Sequence, residues 1–150
     1  MRLRYSSMRH GWILAMLWLP LCVVGADMSE QDLREEIILR CHYEMGEFGV
    51  EVVRSCIEGE NAALAALTAY PDTAKTIVSR CTRQMRARGW ATVKLCVEQD
   101  LAAEDALARY PEEDRAAVDR CEAEIGKQGP TKVKACVDRA LTAKSGAGKP

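Results

Sequence analysis

The apolar residues of this chain recur at the spacing of an α-helix. Ile37, Ile38, Cys41 and Met45 form one such set, and Ile77, Val78, Cys81 and Met85 repeat it forty positions on. Residues three and four apart share one helical face, so each set predicts an amphipathic helix. Val53, Cys56, Ile57, Leu64 and Leu67 predict a second helix beyond Gly49. The alanine pairs at 62–63 and 65–66 favour helix intrinsically, and the β-branched alternation of a strand is missing.

This two-helix pattern occurs three times. Cys41, Cys81 and Cys121 are forty residues apart, as are Cys56, Cys96 and Cys136. Arg40, Arg80 and Arg120 precede the first cysteine of each unit, and Gly49, Gly89 and Gly129 follow it by eight. Val53, Val93 and Val133 precede the second cysteine by three, and Ile57, Val97 and Val137 come after it. A fixed period of this length predicts stacked supersecondary units. The expected fold is all-α: three helical hairpins, at about 30–70, 71–110 and 111–143, stacked as a short disulfide-stapled solenoid within one domain.

Ser29 is positioned as the first N-cap. The Tyr70-Pro71-Asp72 and Tyr110-Pro111-Glu112 turns separate the hairpins, because proline suits a first helical turn and acids suit its positive dipole end. From residue 144 onward the apolar period is lost, and 144–150 reads as a flexible tail.

The glycines supply the break inside each hairpin, since glycine can take the left-handed conformation that closes a helix C-terminus. The midpoints of the three C-x14-C pairs fall at 48.5, 88.5 and 128.5, beside those glycines. Antiparallel helices leaving a tight turn bring residues equidistant from it face to face. The expected disulfides are therefore Cys41–Cys56, Cys81–Cys96 and Cys121–Cys136. Bridges between units, such as Cys56 to Cys81, would need longer arms about a less central turn. Each staple closes a loop of about fifteen residues and contributes on the order of 3 kcal/mol in the chain-entropy model.

The N-terminus changes the picture of where the protein works. Residues 1–10 hold three arginines and no acid, and Trp12 to Val24 is an uncharged apolar run. That is the layout of a secretory signal, and Val24-Gly25-Ala26 offers the small residues needed for cleavage before Asp27. Loss of residues 1–26 removes Cys22 and leaves six cysteines, an even number suited to the periplasm or the secreted space. The competing reading lipidates Cys22, although in Leu19-Pro20-Leu21 a leucine stands directly before it, where a small residue is wanted. The remaining 124 residues carry 18 bases and 22 acids, so there is no basic footprint for nucleic acid. No second apolar stretch is long enough to span a membrane.

Candidate chemistry is sparse. No C-x-x-C motif is present, which makes a thiol oxidoreductase the weakest of the readings. His42 and Met45, with Met28, could offer soft copper ligands, but Met45 also fits the core and His42 the surface. No metal or other cofactor is expected. Glu35-Glu36 and Glu112-Glu113-Asp114 stand where helix starts usually carry acids, and no nucleophile and base fall in a recognisable arrangement. An enzyme is not expected.

Two features point to binding instead. Phe48 and Val50, then Trp90, then Pro130 flank the turn glycines, and Arg83, Arg86 and Arg88 lie near Trp90. Aromatic and arginine residues are common interface anchors, which makes Phe48, Val50, Trp90, Arg83, Arg86 and Arg88 the candidate interface. Charge is also graded: residues 27–70 carry ten acids and three bases, net −7, against +2 for 71–110 and +1 for 111–150. Arg54–Glu58, Lys94–Glu98 and Lys134–Asp138 are spaced as surface ion pairs.

The stacked two-helix units of residues 30–143 resemble TPR-type solenoids, including cysteine-stapled bacterial kinds. The resemblance is one of architecture. The TPR signature is missing and the period is forty, so it implies extended binding surfaces but transfers no binding residues. The expected function is that of a protein-interaction module with a protein partner or a second copy. A periplasmic small-ligand or metal carrier is the alternative.

Overall fold

The structure, a computed structural model, describes residues 29–146. The expected signal segment, Cys22 and Met28 lie outside that range, as do residues 147–150. Six α-helices and no strand occur among the described residues. They form three hairpins: α1 (Glu30–Met45) with α2 (Val50–Thr68), α3 (Lys75–Met85) with α4 (Trp90–Ala108), and α5 (Arg115–Ile125) with α6 (Pro130–Gly146).

Local sequence accounts for the boundaries. The Ser29 hydroxyl accepts the Asp32 N–H at 3.2 Å, and the Asp32 carboxylate accepts the Ser29 N–H at 2.9 Å, a reciprocal capping box. The Ser29 hydroxyl and then its N–H hold the Asp32 carboxyl below the usual carboxylate range. Pro71 and Pro111 sit just before short 3-10 turns at Asp72–Ala74 and Glu112–Asp114, which lead into α3 and α5. Helix α6 continues through Lys144 to Gly146, so the first part of the expected tail is helical.

The glycine turn differs from expectation in one respect. Each first helix ends in a 3-10 turn, at Gly46–Phe48, Arg86–Arg88 and Gly126–Gln128, and the glycine then caps the following helix. Gly49, Gly89 and Gly129 have φ of 98°, 101° and 109° with ψ of 165°, 160° and 160°. This combination of positive φ with an extended ψ lies outside the left-handed helical region and is essentially restricted to glycine. It lets the chain reverse in a single residue and start a helix at once.

The disulfides join Cys41–Cys56, Cys81–Cys96 and Cys121–Cys136, with Cα–Cα separations of 5.8, 5.8 and 6.0 Å. Each ties a first helix to its own second helix near the turn. Helices α2, α4 and α6 pack side by side in a row, and each first helix packs on its hairpin partner. One core cluster unites the first two hairpins through Ile37, Cys41, Val53, Leu67, Ile77, Trp90, Val93 and Val97. A smaller one joins Leu107 of α4 to Val118, Cys121, Val133 and Val137 of the third hairpin.

Candidate protein-binding surface

The junctions between hairpins are built from one arginine, one acid and one helix start. Glu60, on α2, is buried, and its carboxylate accepts from Arg40 Nη2 at 2.6 Å. The same carboxylate accepts the N–H of Trp90 at 2.5 Å and that of Ala91 at 3.4 Å, the first two residues of α4. Helix-start amides have no partner within their own helix and carry the positive end of the dipole, so a carboxylate there is stabilised twice over. A Cβ at Gly89 would lie 2.6 Å from Glu60 Oε1, so this glycine provides clearance as well as its positive φ.

The second junction repeats the device. Buried Asp100 accepts from Arg80 and, at 3.1 Å, from the Thr131 N–H at the start of α6. A Cβ at Gly129 would lie 2.7 Å from Arg80 Cζ. In the third hairpin the equivalent acid position is Ala140, and Arg120 is exposed.

The six interface candidates fall into two groups. Trp90 is only 6 % exposed and belongs to the core between the first two hairpins. It is therefore a packing residue and not a surface anchor, because α2 of the preceding hairpin covers the tip on which it stands. Arg86 lies over its ring at 5.4 Å and pairs with Glu36 of α1, which raises the arginine's already high pKa. Arg83 and Arg88 are exposed; Arg83 donates to Ser79 Oγ at 2.7 Å. Phe48 and Val50 are also exposed, at 61 % and 70 %.

The first hairpin carries most of the large exposed apolar side chains. Ile38, Leu39, Tyr43, Phe48, Val50 and Val52 are the large exposed hydrophobics there, with Leu95 the remaining one among the described residues. Val50 occupies the position of buried Trp90 and half-buried Pro130. Nearby, Leu33, Ile38, Leu64 and Ala65 line an open groove between α1 and α2. The exposed acids Glu44, Glu47 and Glu51 surround Phe48 and Val50 in sequence.

Other clusters offer less. The sulfurs of Cys81 and Cys96 and a carboxylate oxygen of Asp100 lie within 4.8 Å of one another. Both sulfurs are consumed in a disulfide, and Asp100 is engaged by Arg80 and Thr131, so no thiolate donor set exists there. His42 is exposed while Met45 packs against the core. Of the three expected surface ion pairs, Lys94–Glu98 and Lys134–Asp138 form, whereas Arg54 turns to Glu51 at 2.9 Å.

No known protein family matches the chain, and no curated protein or solved structure is similar enough to count as a match. Three disulfides in a small helical protein suit an oxidising, extracellular type of environment. No helix among the described residues is long and apolar enough to cross a membrane.

Proposed function

We propose that this is an exported, non-catalytic interaction module, working in the periplasm or the secreted space, that binds a protein partner through its first hairpin. The observation that carries this reading is the uneven distribution of exposed apolar side chains, concentrated on one hairpin of three that are otherwise built alike. Contiguous apolar surface is costly to leave in water and marks interaction sites when rimmed by polar groups. The exposed acids Glu44, Glu47 and Glu51, next to Phe48 and Val50 in sequence, favour a partner face that carries basic residues. Phe48 is the best-exposed aromatic anchor of the original candidates.

A photo-reactive amino acid placed at Phe48, and in separate variants at the equivalent Arg88 and Gln128, tests the reading in the exported protein. A discrete protein adduct from position 48, absent from 88 and 128, is the expected result. Adduct formation that does not depend on the hairpin chosen would remove the basis for it.

A further inference from the structure

The two ends of the row carry complementary halves of the junction that repeats inside the chain. At both internal junctions one hairpin supplies an arginine and a carboxylate, Arg40 with Glu60 and then Arg80 with Asp100. The next hairpin supplies a positive-φ glycine and an open helix start, at Gly89 and then at Gly129. The third hairpin keeps the arginine: Arg120 is exposed and makes no ion pair among the described residues. It has Ala140 where the carboxylate belongs.

The first hairpin keeps the glycine. Gly49 has the same backbone conformation as the other two, with φ of 98° and open space where a Cβ would be. It carries Glu51 where the later hairpins carry Ala91 and Thr131, residues whose N–H groups donate to the junction carboxylates. The acid missing from one end of the row is thus present at the other.

We propose that the Arg120 face of one copy docks on the Gly49–Glu51 face of a second copy, head to tail. The contact continues the internal register: Arg120 packs against Gly49, as Arg80 does against Gly129, and pairs with Glu51. This inference rests on the reading of the first hairpin as an interaction surface and names a second copy as its occupant. Val50 then takes up the buried role of Trp90 against Ala116, Ala117 and Ala140, in an open groove whose charged lining is Arg120 and Lys144 with Glu113 and Asp114. Net charge of −7 over 27–70 against +1 over 111–150 favours this pairing of ends. Glu51 gives up only an exposed pair with Arg54, which is worth little.

The contact is weaker than an internal junction. Ala140 supplies no carboxylate to the helix-start amides of the second copy, as Glu60 and Asp100 do at the internal junctions. Dissociation constants of roughly micromolar order are expected, and a head-to-tail contact that does not close gives open chains.

Sedimentation velocity on the full, disulfide-bonded chain from about 1 to about 500 μM tests the proposal. The native protein should grow in mass with concentration, while Arg120→Glu and Glu51→Arg each weaken association by roughly tenfold or more. Mixed in equal amounts, the two variants should associate again, because each then presents the opposite charge to the other at both ends. Both positions are exposed, and unchanged circular dichroism certifies each variant. A native protein that stays monomeric, single variants that associate like the native chain, or a mixture that fails to recover would each overturn the proposal. A monomeric native protein that still gives a heterologous adduct at position 48 removes only this inference, whereas a monomer without any adduct removes the interaction reading too.

Discussion

The two junctions use the same positions and differ in what fills them. Between the first and second hairpins, Glu60 reaches two amides of α4, Trp90 is sealed beneath, and Arg86 crosses to Glu36. Between the second and third, the shorter Asp100 reaches the Thr131 amide, and Pro130 stands in place of the tryptophan. The position of Arg86 is Gly126 there, so the crossing ion pair is lost. The separation of the core into two clusters follows the same line. A repeat lattice therefore fixes where a junction forms, while the side chains on it decide how strongly, and the first two hairpins should behave as a tighter unit than the third.

Substitutions at the junctions break this comparison directly. Trp90→Ala should cost about 3–5 kcal/mol in urea unfolding, the usual range for emptying a buried aromatic site, whereas Pro130→Ala should change stability far less. Equal costs would mean that the two junctions are equivalent. Removing the third staple in the Cys121→Ala, Cys136→Ala double variant should cost on the order of 3 kcal/mol and raise hydrogen exchange chiefly in α5 and α6. The same double change at Cys81 and Cys96 should loosen all three hairpins, since α4 packs against both α2 and α6. Glu60→Ala leaves Arg40 half-buried without its close partner and two helix-start amides unmet. A loss of roughly 2–3 kcal/mol is expected, against a smaller one for Asp100→Ala, by thermal or urea unfolding.

Much of this architecture is legible in the residues themselves. The staples follow from symmetry: two helices leaving a one-glycine reversal place positions 41 and 56 opposite each other whatever the side chains around them. Trp90 is different. Its place beside the turn glycine says that it sits at a tip, but only the neighbouring hairpin decides whether a tip is covered, and that contact is tertiary. The same reason hid Glu60 and Asp100. An acid within an alanine-rich helix looks like surface until an arginine and a free helix start converge on it from other elements. Their recurrence at forty residues, ending at Ala140, was the available signal. The ψ of the glycines was out of reach as well, because a positive φ fits more than one turn and the 3-10 segment before it selects between them.

The smallest expected effect sharpens the weaker junction. The Tyr110 hydroxyl, in the turn that follows α4, donates to the Asp138 carboxylate on α6, which also receives Lys134 Nζ at 2.7 Å. The hydrogen bond to Asp138, then burial, pushes the Tyr110 pKa from 10.0 up to about 12. Lys134 first, and Tyr110 second, hold Asp138 below the usual carboxylate range. The signs differ for the two groups. A raised tyrosine pKa means that this bond stabilises the fold fully below pH 10 and is lost as pH climbs toward about 12. A lowered Asp138 pKa means that its share is present above the ordinary carboxylate value of 3.8 and fades as pH falls below it. Tyr110→Phe should therefore lower stability by under about 1 kcal/mol at neutral pH, as befits a partly exposed bond. It should also remove the component of the tyrosinate absorbance titration that appears near pH 12 in the native protein. A variant that keeps that high component would place it on another tyrosine and detach the Tyr110 turn from α6.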